Sequence, residues 1–165
     1  MLQTLGLEYH YQHGKKIVFP EIEIERGQRL LISGFSGCGK TTLLSLIAGA
    51  LKLQVGDIKF DGQDYSSMSS LLLDRLRANH IGYIFQTLNL IPFLSVSENI
   101  GLGIRFSQSR KSRVGNLNQE INRLVDSLGL DKEVLNTPVN RLSVGQQQRV
   151  AAARALLGKP DLILA

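Results

Sequence analysis

Apolar and polar positions alternate along this chain in two different rhythms. In "KIVFPEIEIERGQ" the alternation at Ile22 and Ile24 predicts a half-buried antiparallel strand around Ile17 to Ile24. "RLLIS" (29 to 33) is a continuous apolar run, the pattern of a strand buried on both faces. From about Lys40 to Leu51 the residues are apolar nearly all round, which predicts a buried helix. "SSLLLDRLRANH" reads as a short helix with Leu72 and Leu76 on one face, and "IGYIF" (81 to 85) as a second buried strand. The rhythm then changes. "IPFLSVSENIGLGI" and "NLNQEINRLVDSLG" are helical with no strand between them, and Leu117, Ile121, Leu124 and Leu128 form one stripe closed by Gly129. "DLILA" at the end opens another buried strand. Strands alternating with helices predict an α/β fold with a parallel sheet, made of residues 1–86 and 143–165, with 87–142 as a helical insertion.

Composition narrows the picture. With 165 residues, 43% hydrophobic and 20% charged, the chain has the make-up of one globular domain. Its longest apolar stretch, "LLSLIAGALKL", is far shorter than the ~20 residues that span a bilayer, and "MLQTLGLEYHYQHGKK" lacks the basic start and apolar core of a signal peptide. A cytoplasmic protein is therefore expected. The single Cys38 excludes an internal disulfide, and His10, His13 and His80 show no metal-ligand spacing. The net charge of +5 is concentrated in "RFSQSRKSRVGN" (105 to 116), which reads as a solvated loop; without interleaved aromatics it makes no base-stacking surface, so nucleic acid is not an expected partner.

The chemistry is concentrated in "GFSGCGKT", Gly34 to Thr41, which matches G-x-x-x-x-G-K-[ST] after a strand and at the opening of a helix. Gly34, Gly37 and Gly39 permit backbone conformations in which successive N–H groups point inward at phosphate oxygens. The helix adds its positive end, Lys40 a full charge for the β- and γ-phosphates, and Thr41 a hydroxyl for Mg²⁺. Phe35, Ser36, Cys38 and Thr42 complete the candidate cradle. A second signal is "LSVGQQQRVAAARALLGKP". Ser143 and Gln146 form a capping box, Gly158 stops the helix and Pro160 prevents its return. That reading leaves Gly145 and the polar run Gln146 to Gln148 unexplained, and a small residue beside exposed N–H groups suits a second anion site. Both readings can hold together.

These segments, in this order, resemble the ATP-binding cassette (ABC) ATPases over essentially the whole chain: "GFSGCGKTT", the Gln-containing turn "YIFQTLNLIP", and "LSVGQQQR" as the signature. The resemblance implies a P-loop NTPase with a RecA-like core, an antiparallel β subdomain and a helical insertion. It implies ATP and Mg²⁺ as ligands, with Lys40 and Gln86 as catalytic groups and Thr41 and Gln86 near the metal. It assigns Ser143, Val144, Gly145 and Gln146 to ATP held by a partner subunit, in a homo- or heterodimer; Val144 departs from the family's usual Gly. Tyr11, with Tyr9 as competitor, is similar to the aromatic that stacks on adenine. The wording around Gln86 looks like the lipoprotein-release and macrolide-export branch, which implies an ATP-hydrolysing subunit at the inner face of the cell membrane that drives export through separate membrane subunits. "DLILA" resembles the Walker B strand, which in the family leads into an Asp and a Glu; the sequence ends just before both. This implies a chain truncated in that element, C-terminally incomplete and inactive in turnover by itself, with an unfilled strand position beside "RLLIS". A nucleotide-binding module without catalysis is the alternative.

Overall fold

The structure, a computed structural model, describes residues 1–12 and 14–165; His13 lies outside the described residues. The chain divides into two compact units, Met1–Asp74 and Arg75–Ala165.

The first unit is built on β1 (Leu2–His10), which buries Leu2, Thr4 and Leu7. Its alternation is broken at Gly6 (φ 57°), and the ladder to the next strand shifts register between Leu5 and Glu8. The extra residue turns Leu7 inward, as a bulge does. Along one edge lie β2 (Lys16–Val18) and β3 (Ile22–Ile24), both antiparallel to β1. The strand expected around Ile17 to Ile24 is thus two strands. Pro20 falls between them, where its missing N–H would otherwise break a ladder. The other edge pairs with β4 (Val55–Phe60), which turns back into the short β5 (Gln63–Asp64). The helix α1 (Lys40–Ile47) buries Thr42, Leu43, Leu46 and Ile47, and the Tyr65 hydroxyl donates to Ile47 O at 2.8 Å. It is shorter than the apolar run suggests, because Gly49 takes φ 65° and turns the chain away. "RLLIS" forms no strand. Leu31 is 89% exposed and Leu30 is exposed too. An apolar run becomes a strand only where a neighbour supplies ladder hydrogen bonds, and none of the described strands pairs with it.

The helix α2 (Ser70–His80) carries the boundary between the units; Leu76 is buried while Leu72 is exposed, so the two do not share one covered face. In the second unit β6 (Ile81–Tyr83) and β7 (Leu162–Leu164) pair in parallel. Around them are α3 (Val96–Arg105), α4 (Gln108–Ser112), α5 (Leu117–Ser127) and α6 (Val144–Leu156). Val96, Ile100 and Ile104 of α3, Ile121, Leu124 and Val125 of α5, and Val150, Ala153 and Leu157 form one apolar core. Gly129 (φ 68°) ends α5 as its sequence suggests. The basic stretch 105–116 is not a solvated loop throughout. It contains α4, whose Arg110 is only 3% exposed and donates to the carbonyls of Ile81, Ala155 and Leu157. Burial pushes this guanidinium down to about 10, so it stays charged at neutral pH and caps the carbonyl end of α6. No helix among the described residues is long and apolar enough to cross a membrane.

Candidate functional site

Gly34 to Thr41 forms a loop that closes directly onto the N-terminus of α1. Gly37 (φ 80°) and Gly39 (φ 103°) hold left-handed conformations that side-chain-bearing residues rarely adopt. At Gly39 the backbone also passes close to the sheet: a Cβ there would lie 2.9 Å from Ile17 Cγ2 and 3.1 Å from Phe19 Cε1. The loop is thus seated on β2 and on the residue that follows it. The Lys40 ammonium folds back across the loop, donating to Gly34 O at 2.7 Å and Phe35 O at 2.9 Å, with Cys38 Sγ 3.8 Å away. Both oxygens belong to neutral carbonyls, so the full positive charge is left for an anion. The first turn of α1 contains no acidic residue, and Gly39 at its N-cap offers no side chain to its N–H groups. A cluster of open N–H donors beside an unneutralised ammonium is an anion site by its own chemistry.

Of the other residues singled out in this unit, Ser36 and Thr41 are exposed, Phe35 is almost fully exposed, and Thr42 is buried. Thr42 Oγ1 shares a hydrogen bond of 3.0 Å with the hydroxyl of Tyr11. Tyr11 and Tyr9 meet edge to face with ring centroids 4.9 Å apart. The structure therefore brings Tyr11 to the phosphate-loop helix with its ring half exposed, while Tyr9 is more deeply covered.

The second unit carries Gln86 and the Ser143 to Gln146 segment. Ser143 caps α6: its Oγ accepts from Gln146 N at 3.3 Å, and Gln146 Oε1 accepts from Ser143 N at 2.9 Å. Val144 is 68% exposed, and a Cβ added to Gly145 would meet nothing within 4 Å. Nothing within the chain requires glycine there. Gln147 Nε2 donates to Val139 O and Leu142 O, each at 3.1 Å, which ties the approach segment to the helix. Gln86 is exposed at the start of a turn just beyond β6. The same turn places Leu88 and Asn89 at positive φ (59° and 47°).

Two residues shape this region that the sequence reading passed over. Asn99 of α3, fully buried, donates from Nδ2 to Ile91 O, Leu94 O and Ser95 O, each at 3.1 Å, and accepts from Ile91 N at 2.8 Å. Arg154 of α6 donates to Asn89 O at 2.7 Å and to Leu88 O at 2.5 Å. A polar side chain among Val96, Ile100 and Ile104 was the available signal for Asn99; nothing local distinguished Arg154. Two carboxylates are engaged elsewhere. Glu98 closes the capping box of α3, where the Ser95 hydroxyl and N–H hold it below the usual carboxylate range. Burial alone would raise Asp161, but His80 at 2.7 Å and Arg113 at 3.4 Å outweigh it and hold the carboxyl low.

The chain is similar to known proteins in both sequence and fold. The family described as ABC transporter matches residues 20–165. An uncharacterized ABC transporter ATP-binding protein of Escherichia coli (strain K12), YbbA, is 39% identical over 147 residues, covering 88% of this chain and 62% of the relative. A macrolide export ATP-binding/permease protein, MacB 2 of Aeromonas hydrophila, is 36% identical over 169 residues, covering 100% of this chain and 26% of the relative. The chain thus spans under two thirds of the length of these relatives. Among solved structures, the dimeric ABC transporter cassette MJ0796 superimposes with a TM-score of 0.84 at 29% identity, covering 99% of this chain and 72% of that one. The same cassette in a dimeric post-hydrolysis state bound to ADP and Pi gives 0.83 at 28% identity, over the same shares. With the P-loop cassette fold matched along its length and the family matched from residue 20 onward, the chain belongs to the ABC transporter family of ATP-binding proteins.

Proposed function

We propose that this chain is the ATP-binding part of an ABC transporter, in which ATP binding and hydrolysis drive export through separate membrane subunits from the cytoplasmic face of the membrane. The observation that carries this reading is the loop Gly34 to Thr41, whose uncompensated Lys40 ammonium and open α1 N-terminus suit a polyphosphate. In this reading Lys40 leaves the Gly34 and Phe35 carbonyls to hold the β- and γ-phosphates. The open N–H groups at the start of α1 would face the same oxygens. Tyr11, anchored through its hydroxyl to Thr42, offers its exposed ring to the adenine.

The hard-cation chemistry of Mg²⁺ fits the oxygen donor beside the loop, the Thr41 hydroxyl. Such an ion, when bound, withdraws charge from the transferring phosphate. Thr41, exposed in the first turn of α1, is the residue of the first unit that would hold it, and the family resemblance adds Gln86 of the second unit. Gln86 would in addition orient the attacking water.

The start of α6 has a different role. Ser143, Val144 and Gly145 are exposed, with Gln146 folded back into the capping box, and the open space at Gly145 suits close approach of a second subunit's nucleotide to the start of the helix. Two copies would then enclose two ATP molecules, each between the loop of one and the α6 start of the other. Export is the direction named for the macrolide export relative, which matches the whole chain.

A mixing experiment tests the paired arrangement. Lys40→Ala removes the loop's charge but leaves the α6 start intact; Gly145→Glu blocks the α6 start with bulk and negative charge but leaves the loop. With a non-hydrolysable ATP analogue, sedimentation should show dimers of the unaltered chain, monomers of each variant alone, and dimers again when the two are mixed. ATP that binds yet leaves every mixture monomeric contradicts the pairing.

A further inference from the structure

We propose that Arg154 is the positioning residue of the Gln86 turn, a guanidinium latch that holds the backbone after Gln86 in a conformation it would not keep unaided and so refers that glutamine to helix α6. Leu88 and Asn89 are consecutive, neither is glycine, and both lie in the left-handed region with φ 59° and 47°. Such residues persist only where the surroundings over-determine them. The turn's own bonds are few: Leu88 N to Phe85 O at 2.9 Å, Asn89 N to Thr87 O at 2.7 Å, and the Thr87 hydroxyl to Asn89 Oδ1 at 2.8 Å. The additional constraint comes from across the unit. The two terminal nitrogens of Arg154 donate to the two carbonyls of those same residues, Asn89 O at 2.7 Å and Leu88 O at 2.5 Å. A planar fork spanning successive carbonyls selects one arrangement of both peptide planes, which a flexible lysine ammonium cannot do.

The latch is itself fixed in place. At Gly103 the backbone of α3 lies so close to α6 that a Cβ would collide with the Arg154 carbonyl oxygen and stand 3.5 Å from its Cγ. The chain just beyond the turn is held by α3 as well, through the bonds of Asn99 to Ile91, Leu94 and Ser95. The segment 88–95 is therefore gripped from two helices that touch each other at Gly103. Gln86 stands two residues ahead of Leu88, with its side chain exposed. Because α6 begins at the Ser143 cap, a shift of that helix along its axis would carry Arg154 with it, and the turn would move or relax. This assignment rests on the reading above only in so far as Gln86 acts at the nucleotide; the latch stands on geometry alone.

The test uses the full chain with Arg154→Gln and with Arg154→Lys, the milder change, which keeps the charge and loses the fork. Amide hydrogen exchange is followed residue by residue. The latch predicts at least about tenfold faster exchange confined to Gln86 to Leu90 in Arg154→Gln, and a smaller acceleration at the same amides in Arg154→Lys, with α3 and α5 unchanged. Unchanged exchange at Gln86 to Leu90 in Arg154→Lys, or acceleration spread evenly over α3, α5 and α6, would overturn it in favour of a general stabilising role. ATP affinity and turnover in the assembled complex separate the two readings. Local loosening with lower turnover and unaltered ATP affinity supports both. Local loosening with unaltered turnover supports the latch and tells against the role given to Gln86.

Discussion

Arg110→Ala is the most informative perturbation of the second unit, because it removes one side chain that satisfies several backbone groups at once. The guanidinium is almost wholly buried and donates to Leu157 O from Nε at 3.0 Å and again from a terminal nitrogen, to Ala155 O at 2.8 Å, and to Ile81 O at 3.3 Å. Ala155 and Leu157 stand at the carbonyl end of α6, where the helix supplies no N–H partners. Each carbonyl left unpaired costs ~1–3 kcal/mol, but truncation to alanine admits water, so the lower end applies to each of the three. The loss should therefore be about 3 kcal/mol, in line with the ~3–5 kcal/mol seen when one partner of a buried charged interaction is removed. Against a total stability of ~5–15 kcal/mol that is a large fraction. Urea denaturation followed by circular dichroism measures it as a lowered midpoint with little change in slope. Arg123→Ala on the exposed face of α5, which breaks only the pair with Glu120 at 2.7 Å, is the control and should leave the midpoint nearly unchanged. A loss below about 1 kcal/mol for Arg110→Ala would refute the view that α4 is pinned through this arginine.

Ser143→Ala removes the accepting oxygen of the α6 capping box and should lower stability by ~1 kcal/mol in the same denaturation assay. Gly145→Ala places a methyl in open space within a helix, so it should raise the stability of the free chain by up to ~1 kcal/mol while weakening nucleotide-dependent pairing in sedimentation; weakened stability would mean that the glycine serves the fold. Asp161 has its folded-state pKa below the unfolded one, so its bonds to His80 and Arg113 contribute stability above the unfolded pKa and lose it as pH falls through the folded pKa. Asp161→Asn should then destabilise the chain at pH 6 and matter much less near pH 2, and an equal cost at both pH values would contradict that assignment.

What could be read from the residues was what depends on near neighbours in the chain. The capping box of α6 needs only Ser143 and Gln146, and the phosphate loop needs only the spacing of Gly34, Gly39, Lys40 and Thr41. Features set by distant partners stayed hidden. β1 breaks its alternation at Gly6, and β4 is recognisable only once β1 is there to pair with it. "RLLIS" is apolar enough for a strand but finds no ladder among the described residues. Arg110 sits in a stretch whose charge suggests solvent, and only the carbonyls at the end of α6, over forty residues away, explain its burial. Tyr9 and Tyr11 are equivalent in sequence; the bond from Tyr11 to Thr42 is what sets them apart.

In the proposed function, Gly34 to Thr41 recognises the phosphates of a nucleotide rather than its base. Isothermal titration of the full chain with ATP and with AMP, each with Mg²⁺, in the unaltered protein and in Lys40→Ala, tests this most directly. ATP should bind at least ~100-fold more tightly than AMP, since the outer phosphates add charge-assisted bonds of ~1.5–3 kcal/mol each. In Lys40→Ala, ATP affinity should fall by more than ~10-fold while AMP affinity scarcely changes. Equal affinities for ATP and AMP in the unaltered chain, or an ATP affinity indifferent to Lys40→Ala, would contradict it.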